Sequence, residues 1–234
     1  MCEVLEREYR RGEMYPSAPS LSGEPDSPLG TLIVTVLSQA SNDEGTRKVY
    51  RAMRRRYPAW EDVARAPRAD LVAVLRPGGL AEGKAANIQA ILERIRRDFG
   101  DYSLEDMRSW GDTEVYDYLL DLPGVGPKTA GCVLLFSLER AAFPVDTHVA
   151  RISRRLGLVP FKDTPEKIQR FLEPRVPPEC ALSLHLNLLE HGRNVCTARR
   201  ARCEDCLLFA KCDRISIIAS QDVGKRGGTV DKGR

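Results

Sequence analysis

The chain has 234 residues, 42% of them hydrophobic, and a formal net charge of +3. This length suits one or two small domains with hydrophobic cores. No apolar run approaches the ~20 residues that a membrane-spanning helix needs and no signal peptide is evident, so we expect a soluble, intracellular, cytoplasmic protein. The weak charge excess neither requires nor excludes a nucleic-acid partner, so the distribution of basic residues matters more.

The two chain ends differ in composition from the region between them. Residues 1–28 join a short charged stretch to one rich in Pro, Ser and Gly, and residues 216–234 are polar and contain several glycines. Both compositions are typical of segments that are at least partly mobile. The run from Leu32 to Leu37 has strand propensity, but no partner strand is apparent and the family resemblance described below implies an all-helical fold, so we interpret it as a buried helix.

Apolar residues at helical spacing predict further helices. One such face stops at Gly100 and another at Gly192, and glycine is typical of helix ends. The predicted faces are Val49, Met53 and Tyr57; Ile88, Ile91, Leu92, Ile95 and Phe99; and Leu182, Leu186 and Leu189.

A Leu-Pro-Gly-Val-Gly-Pro-Lys-Thr run carries the first candidate site. Gly124 and Gly126 bracket Val125 in a predicted tight turn, where missing side chains let backbone N–H groups approach a phosphate. Pro127 suits the first turn of the following helix, whose unpaired amides and dipole favour an anion. An ordinary corner between two helices is the other interpretation, because Pro-Gly turns are common there.

The helix after this turn is predicted from Thr129 to Arg140, a stretch without proline whose apolar residues lie nearly all round. It is about 18 Å long at ~1.5 Å per residue, and the extended segment from Ala141 to Asp146 can return about the same distance. Lys128 and Asp146 can therefore share one end of the helix.

Lys128 and Asp146 each have two interpretations. A lysine in a first helical turn is usually a solvated charge, but beside a phosphate-binding turn its amine can be a nucleophile once deprotonated. Asp146 can supply a base and stabilise positive charge on a sugar. It is also well placed to N-cap a helix over Thr147 to Leu156, and both roles can hold together.

Four cysteines near the C-terminus form the second candidate site. Six, two and five residues separate Cys196, Cys203, Cys206 and Cys212 in turn. Disulfides are disfavoured because three other cysteines leave an odd count and no signal peptide is evident. Zinc usually takes two short Cys-x2-Cys pairs and only one is present, so the spacing favours an iron-sulfur cluster.

Basic residues occur in several clusters along the chain. Most such charges solvate helix faces, and we give this interpretation to the clusters at residues 47–56 and 151–155. Arg199, Arg200 and Arg202 differ because they lie between the first two cysteines of the spaced set. A bound cluster would fold that loop into a fixed basic projection suited to phosphates.

The glycine turn, Lys128, the Val-Asp-Thr-His run around Asp146 and the cysteine spacing together resemble the endonuclease III family of DNA-repair glycosylases with AP-lyase activity. The resemblance covers about residues 29–215. It implies an all-α helix-hairpin-helix fold: a six-helix domain at 29–140, and an iron-sulfur domain at 141–215 to which residues 1–28 contribute. In the family, DNA lies in the groove between the two.

The resemblance also implies roles for the singled-out residues. Lys128 would be the Schiff-base nucleophile and Asp146 the catalytic carboxylate. The four cysteines would bind a 4Fe-4S cluster, while His148 is either structural or a phosphate contact. Residues predicted to contact DNA are Gly124, Val125, Gly126, Leu80, Gln39, Asp43, His148, Arg199, Arg200 and Arg202.

The segment Arg76-Pro77-Gly78-Gly79-Leu80 resembles the family's intercalating loop, with Leu80 at the position of the leucine wedge. The alternative interpretation is a plain Pro-Gly-Gly turn. Two residues depart from the family pattern here. Ala40 stands where a gap-filling glutamine is usual, with Gln39 one residue early, and Gly78 replaces a bulky apolar neighbour of the wedge. These departures bear on lesion and opposite-base preference.

The predicted function is a monomeric, nucleoid-associated glycosylase and AP lyase that removes oxidised pyrimidines from double-stranded DNA and cleaves abasic sites by β-elimination. A monofunctional mismatch glycosylase is one alternative, but such relatives normally lack the lysine and carry a further C-terminal domain. A noncatalytic DNA-binding protein with the same hairpin and metal is the other.

Overall fold

The computed structural model describes residues 1–9 and 27–213. Every regular element in these ranges is helical, which confirms the all-α class. The α-helices are α1 (Cys2–Tyr9), α2 (Pro28–Ser38), α3 (Asp43–Arg56), α4 (Trp60–Arg65), α5 (Arg68–Leu75), α6 (Ala81–Phe99), α7 (Asp112–Leu120), α8 (Pro127–Phe136), α9 (Thr147–Arg155), α10 (Pro165–Leu172) and α11 (Ala181–Asn194). The tail at 216–234 and the Pro/Ser/Gly-rich stretch, both predicted to be mobile, lie outside the described residues.

The described chain divides into two compact units. The hairpin unit consists of residues 27–144 and 176–182, and the cysteine unit of residues 1–9, 145–175 and 183–213. The segment 176–182 therefore belongs to the hairpin unit, although the sequence assigned it to the domain at 141–215. None of the described helices combines the length and the apolar character that a membrane crossing requires.

Helix α2 lies at the centre of the hairpin unit. Its residues from Pro28 to Leu37 are all buried, so the run with strand propensity is indeed a buried helix. Ser27 begins it by accepting a hydrogen bond from the Gly30 amide at 2.9 Å. Because α2 packs against α3, α6 and α8, apolar side chains are needed all round it.

Helix α6 has the predicted apolar stripe on the side that faces this core. Ile88, Ile91, Leu92 and Ile95 are fully buried. The helix ends at Gly100, whose left-handed φ of 75° and amide bond to the Arg96 carbonyl are typical of a glycine cap. The predicted stop at Gly100 is correct.

Helix α11 differs from its predicted pattern. Leu184 and Leu188 are buried, whereas Leu186 and Leu189 are only half-buried, and the helix continues past Gly192 to Asn194. The prediction was wrong because this helix also buries polar side chains with partners inside the cysteine unit. Those side chains are Asn187 and His191.

Candidate functional site

The predicted phosphate-binding turn joins α7 to α8 within the hairpin unit. The Val125 amide donates to the Leu122 carbonyl at 3.2 Å, which closes the turn. Gly124 has a φ of 74°, and a Cβ there would overlap the side chain of Asn87. Only glycine therefore fits at 124 without strain.

Helix α8 begins at this turn. Gly126 is its N-cap and makes no side-chain capping bond, and Pro127 occupies the first turn as predicted. The helix ends at Phe136 instead of at Arg140, and three residues later Glu139 adopts a positive φ of 55°. Without a capping side chain, the first amides of α8 remain available to an anion.

Lys128 lies in the first turn of α8 and is half-buried. The side chain of Gln39, at the end of α2, approaches the same turn, and its Nε2 donates to the Gly124 carbonyl at 3.0 Å. Asp43 is the first residue of α3, next to the capping Asn42. Ala40, between them, is exposed and has a φ of 51°.

The segment that resembles an intercalating loop precedes α6. Arg76–Gly78 forms a 3-10 turn, Gly79 has a φ of 70°, and Leu80 follows with a φ of 51°. Leu80 is 67% exposed, whereas Gly78 is buried. A Cβ on Gly78 would lie 3.2 Å from Cγ2 of Val49, so this core residue fills the space next to the glycine.

Asp146 caps α9 in the cysteine unit. Its Oδ1 accepts a hydrogen bond from the Val149 amide at 2.8 Å, and the helix runs from Thr147 to Arg155, which confirms the capping interpretation. The second carboxylate oxygen has no part in this bond. A capped carboxylate is held in one position, a property that a catalytic role also requires.

His148 lies one residue into α9 and is packed against α11. Its Nδ1 is 3.1 Å from an Arg151 nitrogen, so that ring nitrogen accepts the bond. A Cβ at Gly192 would come within 2.6 Å of Nδ1, so glycine permits the close approach of the two helices. Arg151 also donates to the Gly192 carbonyl at 2.8 Å. This packing favours the structural interpretation of His148.

The loop from Cys196 to Cys203 is anchored by Arg155, which is only 7% exposed. Its guanidinium donates to the Thr197 carbonyl at 2.7 Å and the Ala198 carbonyl at 3.2 Å, and it lies 3.3 Å from Sγ of Cys196. The interpretation of residues 151–155 as a solvated basic cluster is wrong for Arg155. It is instead the buried support of the loop.

Three loop arginines, Arg199, Arg200 and Arg202, are exposed. Thr197 stabilises the loop from within, because its Oγ1 exchanges hydrogen bonds with the backbone of Arg200. Arg202 is 3.8 Å from Asp205, a loose contact that leaves its charge largely available. The loop thus presents basic side chains from a fixed backbone.

The four spaced cysteines all lie in the cysteine unit, and none is part of a disulfide. Burial raises the pKa of the Cys206 thiol, and the other three thiols raise it further. Within residues 1–9 and 27–213, no group of three or more His, Cys, Asp or Glu side chains is arranged to hold a metal ion.

The polar groups around these thiols suit thiolate ligands. His191 Nε2 lies 3.5 Å from Sγ of Cys206, and the Tyr9 hydroxyl lies 2.9 Å from Nδ1 of the same ring. A phenol that donates to Nδ1 leaves the proton on Nε2, where it faces the sulfur. Together with Arg155 at Cys196, this gives hydrogen-bond donors for two sulfurs, and such donors stabilise metal-bound thiolates.

Lys128 belongs to the hairpin unit and Asp146 to the cysteine unit. Lys128 lies at the start of α8, which has no side-chain cap, and Asp146 is the N-cap of α9. Their convergence on one reacting atom remains a prediction.

The helical fold and its glycine hairpin define a class of DNA-repair protein. The sequence matches the HhH-GPD superfamily base excision DNA repair protein family over residues 33–178. The chain therefore belongs to this family. It is an enzyme of base excision repair.

Within the family the chain is similar to endonuclease III. The Thermotoga maritima endonuclease III is 33% identical over 186 residues, covering 80% of this chain and 83% of that protein. The Bacillus subtilis endonuclease III is 32% identical over 201 residues, covering 86% and 87%. A solved structure of a non-covalent endonuclease III–DNA complex matches with a TM-score of 0.77 at 28% identity, over 93% of this chain and 96% of that one. The predicted resemblance is confirmed.

Sequence reasoning missed several residues that shape these sites. The sequence predicts an exposed side chain for Arg155, and it gives no prediction for Lys84 or Tyr9. Arg151 and Arg155 are four residues apart and therefore lie on one face of the helix that Asp146 caps, and this spacing indicates that both can contact the same segment. A single lysine or tyrosine in a helix carries no such signal, because its partners are distant in sequence.

Proposed function

We propose that this protein is a bifunctional DNA glycosylase and AP lyase. It removes damaged bases, oxidised pyrimidines in particular, from double-stranded DNA and cleaves abasic sites through a Schiff base on Lys128. The observation that carries the proposal is the position of Lys128 in the first turn of α8, directly behind an uncapped glycine turn. The relatives named endonuclease III support the same reaction class.

The turn binds the DNA backbone. Gly124 and Gly126 expose main-chain amides, and the start of α8 adds the positive end of its dipole. Gln39 stabilises the turn through its bond to the Gly124 carbonyl. A phosphate held there fixes the register of the nucleotide that presents its sugar to Lys128.

The reaction then proceeds in two covalent steps. The Lys128 amine attacks C1′ of the flipped nucleotide, the C1′–base bond breaks, and the base leaves with the bonding electrons and gains a proton. The attacking nitrogen loses one proton, and cleavage of the C1′–O4′ bond with protonation of O4′ then gives a protonated imine. Removal of a C2′ proton then expels the 3′ phosphate, and the Asp146 carboxylate stabilises positive charge in both steps.

Trapping with borohydride tests this assignment. Reduction of the imine should join the wild-type protein covalently to abasic duplex DNA, and Lys128→Ala should abolish the adduct. Lys162→Ala, which removes an exposed lysine of the cysteine unit, is the matched control and should trap like wild type. Absence of a wild-type adduct, or equal trapping by Lys128→Ala, would contradict the proposal. Competition among a panel of lesions then ranks the substrates.

The four spaced cysteines are proposed to bind a 4Fe-4S cluster. When bound, it supplies iron–thiolate bonds that cross-link the loop carrying Arg199, Arg200 and Arg202. The absence of a disulfide among the four cysteines and the donors from His191 and Arg155 fit this role. The arginines then contact phosphates, while Arg155 holds the loop backbone.

Iron analysis tests the cofactor. The wild-type protein should contain about four iron atoms per chain and show an absorbance band at ~410 nm. Cys206→Ser should lose both signals, and Cys2→Ser, at a free cysteine in α1, should keep them. Stoichiometric zinc without iron would overturn the assignment.

A further inference from the structure

Lys84 is a buried lysine that the proposed reaction does not use. It lies in the first part of α6 and is only 3% exposed. Its Nζ donates to the carbonyl oxygens of Leu37 and Gly78, each at 2.8 Å. Burial is costly for an ammonium group and lowers its pKa. The two carbonyl bonds offset that cost.

The two carbonyls belong to segments that both end in an exposed, strained residue. Leu37 lies near the end of α2, three residues before Ala40, and Gly78 lies two residues before Leu80. Ala40 and Leu80 both have a φ of 51°. Left-handed backbone is unfavourable for residues with a Cβ, so the surrounding structure must hold both tips in place.

The two tips are neighbours. A Cβ built on Gly79 would lie 3.8 Å from the carbonyl oxygen of Ala40. Gly78 is packed against Val49 and Leu80 is 67% exposed, so one side of this loop is fixed in the core while its tip is accessible to solvent. Lys84 is the buried group that joins both segments.

We propose that Lys84 is a positioning residue that holds Ala40 and Leu80 as one rigid element, which fills the gap left in DNA by the flipped nucleotide. The inference rests on the proposed glycosylase function. A flipped nucleotide leaves its neighbours partly unstacked, and an apolar wedge takes the place of the missing base. A wedge held in place before binding loses less entropy than a mobile one. Lys84 acts through the loop and does not touch the DNA.

A fluorescent duplex tests the inference. The duplex carries a tetrahydrofuran abasic analogue opposite 2-aminopurine, whose fluorescence rises when the base unstacks. An inserted wedge also unstacks the base step that it enters, so wild type should increase the fluorescence, and Leu80→Ala should lose most of the increase. Lys84→Met should lose at least half of the Leu80-dependent part, and Lys84→Gln, which keeps amide donors, should recover some of it. In a Leu80→Ala background, Lys84→Met should cause little further loss.

Gln89→Met is the matched control. Gln89 lies on the same helix, is 6% exposed and donates to the Ala66 carbonyl at 2.8 Å, away from the two tips. It should keep the fluorescence increase even if its thermal unfolding temperature falls as far as that of Lys84→Met. If Lys84→Met fails to fold, the fluorescence increase of Lys84→Gln is compared with that of Gln89→Met instead. Lys84→Gln should show the smaller increase of the two.

Three results would overturn the inference: a full increase with Lys84→Met, an equal loss with Gln89→Met, or an undiminished effect of Lys84→Met in the Leu80→Ala background. Borohydride trapping of wild type separates this inference from the proposed function. An adduct without a Leu80-dependent increase overturns the role of Lys84 and leaves the lyase intact. An increase that depends on both Leu80 and Lys84, without an adduct, supports the role of Lys84 and overturns the lyase.

Discussion

Gly124 and Gly126 lie two residues apart and lack a side chain for different reasons. Gly124 combines a φ of 74° with a Cβ position already occupied by Asn87. Gly126 has extended backbone, and no atom lies within 4 Å of the Cβ it would carry. Folding therefore requires glycine at 124 only, whereas a phosphate bound to the turn requires it at both.

Alanine at these positions separates stability from binding. Gly124→Ala should lower the free energy of unfolding by about 1–3 kcal/mol, because the left-handed backbone and the displaced Asn87 both cost energy. Gly126→Ala should lower it by less, about 0.5–1 kcal/mol, because alanine is a poorer N-cap than glycine, but should weaken binding to an abasic duplex about tenfold, since the new methyl group keeps the phosphate from the amides. Denaturant unfolding and a binding titration measure the two effects. Full affinity in Gly126→Ala would count against a phosphate at this turn.

Asp146 also serves two purposes that a substitution can separate. Asn caps helices about as well as Asp but carries no charge, so Asp146→Asn should unfold like wild type while cleaving abasic DNA at least ~100-fold more slowly. Asp146→Ala should in addition lose about 1 kcal/mol of stability with the Val149 bond. Single-turnover cleavage and thermal unfolding measure these changes. If Asp146→Asn cleaves abasic DNA at nearly the wild-type rate, Asp146 has a capping role and no catalytic role.

At the scale of elements, the loop between Cys196 and Cys203 presents three exposed arginines from the cysteine unit. Because Arg155 and Thr197 fix its backbone, the exposed arginines need little ordering to contact phosphates. Such contacts release counterions, so they should appear in the salt dependence of binding.

Arginine substitutions in the loop test this expectation. Arg199→Ala, Arg200→Ala and Arg202→Ala should each lower the slope of log affinity against log salt by about 0.9 for every phosphate that the variant no longer neutralises. Arg65→Ala, at an exposed arginine paired with Glu61, is the control and should leave the slope unchanged. Filter binding at several salt concentrations gives the slopes. Unchanged slopes in all three variants would show that the loop does not face DNA.

Local signals in the sequence predicted several element boundaries correctly. Pro127 at a helix start, Asp146 as a cap and Gly100 as a stop act through neighbouring backbone, so their chemistry can be read from the chain itself. The buried face of α11 could not be predicted from its leucines. It depends on polar partners in α1, which are about 180 residues away in sequence.

For the candidate site, residue identities were easier to predict than contacts. The positions of Lys128 and the four cysteines follow from motif spacing, but the Gln39 bond to Gly124 and the Lys84 bonds to two carbonyls do not. Glutamine and lysine are usually exposed, and their burial is decided by packing between segments distant in sequence.

Across the whole molecule, the cysteine unit depends on the N-terminal helix α1. Glu6 accepts a hydrogen bond from Asn187 at 2.7 Å, Tyr9 contacts His191, and Leu5 is fully buried. The double variant Glu6→Ala/Tyr9→Phe should lower the free energy of unfolding by about 2–4 kcal/mol, because both partners on α11 are deeply buried. Denaturant unfolding measures the loss.

Hydrogen exchange locates the effect of that variant. Amides of α11 should exchange faster, and those of α2 in the hairpin unit should not. The control is Glu3→Ala/Arg7→Ala, which changes two exposed residues of the same helix and should behave like wild type. Equal acceleration in both units would mean that they unfold together.

The split composition of the cysteine unit bears on the order in which the protein forms during synthesis. Most of the hairpin unit is one continuous stretch, 27–144, that leaves the ribosome early, and domains generally fold as units as they emerge. Helix α1 precedes this stretch in the chain, yet its partners Asn187 and His191 follow about 180 residues later. Helix α1 is thus made before the hairpin unit but can pack only after α11 has been made, and its packing closes a loop of about 180 residues.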